Sequence, residues 1–368
     1  MNNETNTMNR KIRVGVVGAS GYAGAELIRI LSMHPQAQIV WIGSRSYAGQ
    51  EFGRIYGNLY RIVDLSLIDD DTEKLTEEIT KLAESVDVIF TATPQGACAK
   101  MMSEELLTRC KVIDLSADFR LKDVSVYEKW YRIQHAAPSF IEEAVYGLVE
   151  LNRKDIPGRR LVANPGCYTT CSILTTYPAV TEGLADPDTL VVDALSGVSG
   201  AGRGAKVANL YAEVNESVKP YGVASHRHTP EIEEQLSYGL GSPVTLTFTP
   251  HLVPMNRGIL VTAYAKLKKK ADGTYPGIDE VRAAYEKAYG SEQFIRLLPE
   301  GAVPETRFVT GSNFVDIGLA IDARTNRLIM MGALDNMIKG AAGQAVQNMN
   351  LLFGLPEETG LTFVGLVP

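Results

Sequence analysis

The fold is decided near the start of the chain, in residues 11–27, KIRVGVVGASGYAGAEL. The β-branched run Lys11–Val17 predicts a strand, and Ala23–Met33 has a helical pattern after a glycine-rich turn. This order is typical of dinucleotide-binding units, where glycines let the backbone approach a pyrophosphate at the helix N-terminus. The spacing here is G-x-x-G-x-x-G, so a tight turn that binds no ligand stays open as an alternative.

Three further apolar runs predict the other strands of this first sheet: Gln38–Ile42, Val86–Thr91 and Lys111–Leu115. A helix is predicted over Gly96–Thr108, between the last two strands. Because apolar strands alternate with helical segments, we expect a parallel sheet that is covered on both faces.

Beyond about residue 165 the pattern changes to alternating apolar and polar residues, which is typical of an antiparallel sheet with one buried face. Two segments show it, Val244–Val253 and Gly258–Leu267. Asn313–Asp322 and Arg327–Asp335 are predicted to form a strand pair around the turn Ala323–Asn326. A final helix is predicted over Asn336–Leu352.

Composition limits the class of protein. The chain has 368 residues, a formal net charge of -7, 45% hydrophobic and 21% charged residues, which is typical of a globular protein with two domains. No apolar run is long enough to cross a membrane, and the first ten residues predict a polar tail rather than a signal peptide. Four cysteines without secretory targeting predict reduced thiols. We expect a soluble cytoplasmic enzyme that binds neither nucleic acid nor membrane.

The end of the second strand indicates which dinucleotide is bound. An NAD site needs an acidic residue there for the ribose hydroxyl, and none occurs between Leu27 and Gln50. The strand is followed instead by Gly43-Ser44-Arg45-Ser46, whose guanidinium and hydroxyls suit a 2′-phosphate. The sequence therefore predicts NADP(H).

Cys167 is the candidate nucleophile. A short strand, Arg160–Ala163, leads through Asn164-Pro165-Gly166-Cys167-Tyr168 into the helical run Thr169–Tyr177. A thiol at a helix start is stabilised as thiolate by the helix dipole and by unpaired N–H groups. The other three cysteines, Cys98, Cys110 and Cys171, lie in or beside apolar helical segments and are predicted to be buried structural thiols.

Two of the five histidines, His226 and His228, flank Arg227 just before a predicted helix. Thr229 is the predicted N-cap, followed by Pro230 in the first turn. A histidine at this position is kept neutral by the dipole, as a general base requires. A metal site is the weaker alternative because no zinc-like ligand spacing occurs. We expect His34 and His135 to be ordinary loop residues and His251 to lie in a strand or loop.

A nicotinamide site, a thiolate and a base together predict the reduction of an activated acid to an aldehyde through a thioester. Two segments suit an anionic acyl substrate: Ser116–Arg120, and Ser196–Arg203 after the predicted strand Thr189–Leu195. The alternative for each is a strand-end turn with a solvated arginine.

Six segments, in this order, resemble the N-acetyl-γ-glutamyl-phosphate reductase family over essentially the whole chain after the tail. They are VGVVGASGYAGAEL at 14–27, LSADFR at 115–120, NPGCY at 164–168, GVSGAGR at 197–203, HRHTPEI at 226–232 and DNMIKGAAGQAVQNMN at 335–350. Thr169 and Cys171 depart from the family's usual cysteine signature, which leaves the helix packing near Cys167 less defined.

The resemblance implies an α/β fold in two domains. Residues 1–165 and 336–368 would form an NADP-binding Rossmann domain, and residues 166–335 a glyceraldehyde-phosphate-dehydrogenase-like α+β domain with an antiparallel or mixed sheet. The C-terminal helix would return to the Rossmann domain. The implied activity is NADPH-dependent reduction of N-acetyl-L-glutamyl 5-phosphate to the 5-semialdehyde and phosphate, in arginine biosynthesis, by a homodimer or homotetramer.

The resemblance also assigns site residues. Cys167 is the implied nucleophile, and His228 the base, with His226 as the second candidate. Substrate-binding residues are Arg120, Ser199, Gly200, Arg203 and Glu231. Cofactor-binding residues are Gly18, Ser20, Gly21, Tyr22, Gly24, Ser44, Arg45, Thr93, Pro94 and Asn336. No metal ligand is expected.

Three other functions remain as alternatives. A reductase of carrier-protein-linked aminoadipyl or glutamyl phosphate shares nearly all of these motifs, although the net charge of -7 is unfavourable for an acidic carrier. Aspartate-semialdehyde dehydrogenase shares the plan but poorly matches HRHTPEI. A non-catalytic NADP-binding sensor would need neither the thiol nor the base.

Overall fold

The computed structural model describes residues 10–367, so the predicted polar tail lies outside it except for Arg10. The chain divides into two compact units, and each contains one seven-stranded sheet. The α-helices in the described range are α1 (Tyr22–Met33), α2 (Phe52–Ile55), α3 (Thr72–Ala83), α4 (Ala97–Met101), α5 (Glu104–Arg109), α6 (Val124–Tyr131), α7 (Val149–Asn152), α8 (Cys167–Thr181), α9 (Tyr211–Val214), α10 (Thr229–Leu240), α11 (Ile278–Tyr289), α12 (Thr306–Val309) and α13 (Gly343–Leu352).

The first unit contains the described residues up to Lys122, together with Ile133–Asn164 and Ala342–Leu361. All neighbouring strands of its sheet are parallel, in the order β3-β2-β1-β4-β5-β7-β6. The strands are β1 (Ile12–Val17), β2 (Ala37–Gly43), β3 (Leu67–Ile68), β4 (Val88–Thr91), β5 (Lys111–Asp114), β6 (Val145–Tyr146) and β7 (Leu161–Ala163). The order reverses between β1 and β4, and ligands bind at such a reversal in open parallel sheets. The predicted Rossmann sheet is confirmed.

Two helix predictions in this unit need correction. The helix predicted over residues 96–108 is two helices, α4 and α5, because Ser103 caps the second one by accepting the Leu106 N–H through its hydroxyl. The helix predicted from Asn336 begins instead with a π-helical turn, Ile338–Ala342, before α13. Helix α13 packs against α1, α7 and β5, so the chain does return to the first unit as predicted. The two-residue strands β3 and β6 and helix α3 were not predicted.

The second unit contains Asp123–Arg132, Pro165–Ala341 and the described residues from Thr362 onward. Its sheet has the order β12-β13-β14-β11-β8-β10-β9. The strands are β8 (Val191–Gly197), β9 (Lys219–Pro220), β10 (Thr247–Val253), β11 (Ile259–Lys266), β12 (Ile295–Leu297), β13 (Val315–Asp322) and β14 (Arg327–Leu334). The sheet is mixed, because β8 pairs with β10 and β12 with β13 in parallel, whereas the other neighbours are antiparallel.

The predicted alternation is confirmed in β11 but does not extend to β13, where Val315–Leu319 are all buried. Every second residue of β11, from Ile259 to Ala265, is fully buried, and the residues between them are partly exposed. Helix α8 packs on β11 and β14, and α10 and α11 pack on α8. The alternation of apolar and polar residues in β11 therefore predicts which face of the sheet the helices cover.

The predicted domain bounds, 1–165 with 336–368 and 166–335, stay a prediction. The two compact units differ from them at Pro165, which groups with the second unit, and at three longer segments. Asp123–Arg132, residues 336–341 and residues from Thr362 onward group with the second unit. In the first of these segments, Tyr131 at the end of α6 lies under Arg227, with the guanidinium carbon 5.3 Å from the ring centroid. None of the helices between residues 10 and 367 is long and apolar enough to cross a membrane.

A buried acidic group lies at the end of β5. The Asp114 side chain is fully buried and accepts the Thr91 hydroxyl at 2.8 Å and both the N–H and the hydroxyl of Ser116. Burial and the neighbouring carboxylate of Asp118 raise the pKa of Asp114 to about 6. The folded state therefore binds this proton more tightly than the unfolded chain does.

We expect Asp114→Asn to stabilise the protein at pH 8 and to leave its stability unchanged near pH 4. Because folding raises the pKa of this carboxyl, the unfolded chain loses the proton at a lower pH than the folded protein does. The free energy of unfolding contributed by Asp114 therefore falls as the pH rises from about 4 through 6. Urea unfolding midpoints at the two pH values measure the effect. Asp123→Asn is the control, because the pKa of Asp123 is lowered by its bonds to Ser125 and the sign should reverse. An equal gain for Asp114→Asn at both pH values would contradict the assignment.

Candidate active site

The glycine turn joins β1 to α1 in the first unit, and its three glycines have different surroundings. Gly18 has a φ of 77°, and a Cβ there would overlap the carbonyl of Ala92. A Cβ on Gly24 would overlap the Gly18 carbonyl. At Gly21, which caps α1, the nearest atom to an added Cβ is the Gly18 oxygen at 3.5 Å, an ordinary contact. Packing therefore requires glycine at 18 and 24, whereas the space beside Gly21 is open.

The end of β2 lies beside this turn. The Ser20 and Ser44 hydroxyl oxygens are 2.6 Å apart, and the Tyr56 hydroxyl donates to the Ser20 carbonyl. Ser44 is buried, while Arg45 is exposed. The structure thus brings Ser20 and Ser44 into contact, and Arg45 follows Ser44 directly in the chain. The side chain of Arg45 is exposed to solvent.

Asp70 also lies at the end of β2, and the sequence analysis missed it. Its carboxylate accepts the Gly18 N–H at 2.7 Å and the backbone N–H of Arg45, and an added Cβ on Gly43 would lie 2.8 Å from Asp70 Cβ. Burial raises the pKa of Asp70. No acidic residue occurs between Leu27 and Gln50, and the carboxylate found at the end of β2 comes from beyond β3. It binds backbone N–H groups of the glycine turn and of the segment that follows β2.

Three more predicted cofactor residues lie around the same sheet edge. Tyr22 begins α1 and is half-exposed, and Thr93 and Pro94 follow β4. The Thr93 hydroxyl oxygen is buried without a hydrogen-bond partner. A buried hydroxyl without a partner is costly, and a polar ligand atom at this edge would satisfy it.

Arg120, predicted to bind substrate, is buried in the first unit. Its Nε donates to the Asn164 carbonyl and its Nη2 to the Leu115 carbonyl, each at 2.8 Å. These bonds join the segments that follow β5 and β7. The alternative of a solvated arginine is wrong, and the substrate role of Arg120 stays a prediction.

Cys167 is the first residue of α8 in the second unit, with Gly166 as N-cap, so the predicted helix starts two residues earlier than expected. Its side chain is partly exposed, whereas Cys98, Cys110 and Cys171 are buried, and none of the four forms a disulfide. Burial raises the pKa of those three thiols, that of Cys110 to about 12. The prediction that Cys167 differs from the other cysteines in its surroundings is confirmed.

The histidine pair lies beside the residue that follows Cys167. The Tyr168 ring is 5.6 Å from the His226 ring and 6.1 Å from the His228 ring, centroid to centroid, and the two imidazoles are 4.9 Å apart. Tyr221 also packs against His226 and donates its hydroxyl to that of Tyr168. Tyr168 ends the NPGCY motif, whereas Tyr221 lies in none of the six motifs. Only the fold shows that both tyrosines contact the histidines.

His226 is held in its neutral form. Its Nδ1 accepts the backbone N–H of His228 at 3.2 Å, so the proton of the neutral ring lies on Nε2. Burial, followed by the charge of Arg227, lowers the pKa of His226 to about 4. His228 itself is the N-cap of α10, one residue before the predicted cap Thr229.

The remaining histidines occupy the predicted loops and strand, but two are buried rather than ordinary loop residues. His34 Nε2 lies 3.0 Å from the Asn350 side-chain oxygen, and His135 Nε2 lies 2.6 Å from the Asp118 carbonyl. His251 lies in β10. Among the side chains that the structure describes, no group of three or more possible metal ligands occurs.

Glu231, another predicted substrate residue, connects the two helices of the site. Its buried Oε1 accepts the Gly166 N–H at 3.1 Å and the Thr169 hydroxyl at 2.9 Å. The carboxylate therefore binds the first turn of α8 from the first turn of α10. Thr169, which departs from the usual family signature, supplies one of the two bonds.

Ser199, Gly200 and Asn336 come together at the end of β8. The Asn336 side chain donates to the Ser199 hydroxyl at 2.9 Å and accepts the Gly258 N–H at 2.7 Å. An added Cβ on Gly200 would lie 3.7 Å from the Asn336 amide nitrogen. Arg203 follows in the same loop and is partly exposed. The cofactor role predicted for Asn336 stays a prediction, since the contacts of its side chain here are with two turns of the second unit.

Comparisons with known proteins agree with the two-unit fold. The family model described as semialdehyde dehydrogenase, NAD binding domain, matches residues 13–158, and the one described as semialdehyde dehydrogenase, dimerisation domain, matches residues 167–336. Aspartate semialdehyde dehydrogenase II from Vibrio cholerae, in a crystal structure complexed with ASA, has a TM-score of 0.69 at 15% identity and covers 94% of this chain and 99% of its own. The Candida albicans enzyme, crystallised with NADP, has a TM-score of 0.60 at 16% identity, with 93% and 98% covered. The chain thus has the semialdehyde dehydrogenase fold.

Sequence relatives define the family within that class. Proteins named N-acetyl-gamma-glutamyl-phosphate reductase are 62% identical in Lachnospira eligens and 58% identical in Lachnoclostridium phytofermentans, each over 97% of this chain and 100% of the relative. A Campylobacter jejuni protein of the same name is 52% identical over 96% of this chain and 98% of its own length. The chain belongs to the N-acetyl-gamma-glutamyl-phosphate reductase family, as the motifs predicted.

Proposed function

We propose that this protein reduces N-acetyl-L-glutamyl 5-phosphate to N-acetyl-L-glutamate 5-semialdehyde and phosphate with NADPH, as a step of arginine biosynthesis. Membership of the reductase family supports the substrate and the reaction. One observation carries the mechanism: a partly exposed thiol begins α8, and a histidine pair packs against the next residue along that helix.

Cys167 is the proposed nucleophile. The first residues of a helix leave their N–H groups without intrahelical partners, and these groups and the dipole favour a negative charge on the sulfur. The thiolate attacks the γ-carbonyl carbon, the C–O bond to phosphate breaks, and inorganic phosphate leaves. The acyl group then remains on the sulfur as a thioester, which shields it from loss as free acid.

His228 is the proposed acid–base group, and its position at the cap of α10 supports this role. His226 is less suited to take up a proton at neutral pH because its pKa is about 4. Its neutral ring accepts the His228 backbone N–H and thereby orients that residue. His228 would take up the thiol proton during acylation and give it to the departing phosphate. After hydride addition to the thioester carbon, the C=O bond re-forms as the C–S bond breaks, so the aldehyde and the thiolate are released without a further proton.

NADP(H) is the proposed cofactor, and the residues of the first unit fit it. Glycines form the turn, the space beside Gly21 is open, and Thr93 offers a buried hydroxyl without a partner. Ser20, Ser44 and Arg45 would bind the 2′-phosphate, since two hydroxyls and a guanidinium suit a dianion. When bound, NADPH supplies the hydride that reduces the thioester. The proposed set in the first unit is Gly18, Ser20, Gly21, Tyr22, Gly24, Ser44, Arg45, Thr93 and Pro94.

The proposed substrate contacts lie in the loop after β8. Ser199 and the backbone of Gly200 would bind polar groups of the acyl phosphate, and Arg203 would bind one of its anionic groups. Glu231 has a different proposed role. Because its carboxylate is buried and already accepts the Gly166 N–H and the Thr169 hydroxyl, it positions the first turn of α8.

A homo-oligomer is the proposed assembly, either a homodimer or a homotetramer, in the cytoplasm. The face of the second sheet opposite the helices presents partly exposed apolar side chains on neighbouring strands, Leu195, Leu260, Tyr264, Ile329 and Met331. A continuous apolar patch of this kind is typical of a protein–protein interface. A second copy of the chain would cover it.

Cys167→Ser should abolish turnover while leaving NADPH binding unchanged, because a serine hydroxyl is far less ionised than the thiol. The assay follows NADP reduction by the purified protein with N-acetylglutamate semialdehyde, with and without phosphate, and NADPH binding is titrated by fluorescence. Cys171→Ser is the matched control, because it makes the same change one turn deeper in α8, at a buried thiol. It should retain phosphate-dependent turnover.

The same assay separates the alternatives. Turnover only with a carrier-linked acyl phosphate would favour a carrier-dependent reductase. NADPH binding without any turnover by the wild-type protein would favour a sensor. Full activity of Cys167→Ser would exclude the thioester route.

His228→Asn should lower kcat by about 10²–10⁴, the usual range for loss of a general acid–base group. His226→Asn should cost much less, because an asparagine oxygen can still accept the His228 N–H. The acid limb of the kcat profile above pH 5 should also stay in place in His226→Asn, because a group with a pKa of about 4 is already neutral there. A larger loss in His226→Asn would exchange the two roles.

Gly21→Ala should weaken NADPH binding tenfold or more, about 1.4 kcal/mol, with little change in melting temperature. Its φ of -72° suits alanine, and the methyl group would occupy only the open space beside the turn. Gly24→Ala should instead lower the melting temperature, because its methyl group overlaps the Gly18 carbonyl. Unchanged NADPH affinity in Gly21→Ala would place the cofactor elsewhere.

A further inference from the structure

The π-helical turn Ile338–Ala342 packs directly against Cys167. A Cβ on Gly340 would lie 2.7 Å from Cys167 Cβ and 3.1 Å from its Cα. Two carbon atoms that are not bonded do not approach this closely, so the contact exists only because residue 340 has no side chain. The φ angle of Gly340 is not positive, so its backbone conformation does not require glycine. The close approach to Cys167 is therefore the reason that position 340 needs a residue without a side chain.

A buried carboxylate fixes the start of the same turn. Asp335 is fully buried, and its Oδ1 accepts the N–H groups of Met337 at 2.8 Å and Ile338 at 3.3 Å. Its backbone carbonyl accepts the Gly340 N–H at 3.0 Å. Asp335 therefore bonds to three of the five residues that follow it.

The other carboxylate oxygen of Asp335 binds the surrounding framework. Oδ2 accepts the Gly311 N–H at 2.7 Å and the Arg257 guanidinium at 3.4 Å. Hydrogen bonds to a charged acceptor are stronger than those between neutral groups. Removing one partner of a buried bond also leaves the other polar group without water or a partner, which destabilises the fold. The π turn is thus attached to two loops of the second unit through one side chain.

We propose that Asp335 and Gly340 are positioning residues for Cys167. The inference rests on the proposed role of Cys167 as nucleophile. Asp335 fixes the turn, and Gly340 presents a bare backbone surface on which Cys167 Cβ rests, so the pair sets the direction in which the sulfur leaves the start of α8. Neither residue touches the reacting atoms.

The consequence for rate follows from geometry. The sulfur is bonded to Cβ, so a displacement of Cβ moves the sulfur relative to the N–H groups at the helix start and to the bound acyl carbon. A misplacement of about 1 Å at a reacting atom costs on the order of 10²-fold in rate. π-helical turns inside or beside α-helices frequently occur at functional sites, in agreement with this role.

Gly340→Ala tests the proposal. We expect kcat to fall about 10²-fold with a much smaller change in KM. The rate of Cys167 alkylation by iodoacetamide, followed by mass spectrometry against pH without substrate, should also change in its midpoint pH, because the sulfur moves relative to the helix N-terminus. Cys98, Cys110 and Cys171 are buried, so alkylation reports on Cys167.

Gly239→Ala is the matched control. A Cβ there would lie 2.7 Å from Thr181 Cγ2, at the far end of the same helix α8. This variant should lose thermal stability and keep the wild-type alkylation profile and kcat. A wild-type alkylation profile in Gly340→Ala, or the same changed profile in Gly239→Ala, would overturn the proposal.

Asp335→Asn provides a second variant in case Gly340→Ala does not fold. An amide nitrogen in place of either oxygen faces a donor, so the turn should shift and the alkylation profile should change in the same direction, measured well below the melting temperature. If both residues act through one turn, the double variant should lose less kcat than the product of the single losses. Independent, multiplying losses would overturn the link between them. Because alkylation needs no substrate, these outcomes are distinct from an active Cys167→Ser variant, which would overturn the proposed function.

Discussion

The bond between Glu231 and the first turn of α8 is the constraint on which the rest of the site depends. Its buried oxygen accepts the Gly166 N–H and the Thr169 hydroxyl, on either side of Cys167 in the chain. Glu231 itself lies in the first turn of α10, three residues after His228. One carboxylate therefore connects the helix that begins with Cys167 to the helix that follows the two histidines, and fixes their separation.

A second buried carboxylate, Asp335, holds the turn whose Gly340 packs on Cys167. Glu231 accepts a backbone N–H and a hydroxyl, and Asp335 accepts three backbone N–H groups, so each carboxylate has hydrogen-bond donors around it. This matters because a thiolate is disfavoured by an uncompensated anion nearby and favoured by unpaired N–H groups. In the second unit, Glu231 and Asp335 hold the backbone around Cys167, and because each has its own donors, neither opposes the thiolate proposed at the start of α8.

In the first unit, too, a carboxylate holds backbone segments in place, here at the glycine turn. Asp70 accepts the N–H groups of Gly18 and Arg45 and so joins the turn to the end of β2. Gly18 and Gly24 are required by contacts inside the protein, whereas the space beside Gly21 is free of close contacts. The turn is therefore rigid where it packs on the sheet and open at the N-terminus of α1, where a phosphate would be met by unpaired N–H groups.

The sequence by itself determined what depends on neighbouring residues. Local patterns located β10, β11, β13 and β14, and alternation gave the buried face of β11. The glycine turn located β1 and α1, because these patterns lie within a few residues. Alternation did not predict the burial of β13, where Val315–Leu319 are all buried. The Pro-Gly pair before Cys167 marked the start of α8 for the same reason, and ordered motifs identified the family.

Only the tertiary structure decided how distant segments meet. Asp70 reaches the end of β2 from beyond β3, Glu231 binds the start of α8, and Gly340 packs on Cys167 although 173 positions separate them in the sequence. The Arg120 guanidinium donates hydrogen bonds to two backbone carbonyls. No local sequence pattern distinguishes such an arginine from one that binds a ligand. Such contacts depend on the free energy of packing the whole unit, and the local sequence around each residue carries no record of its partner.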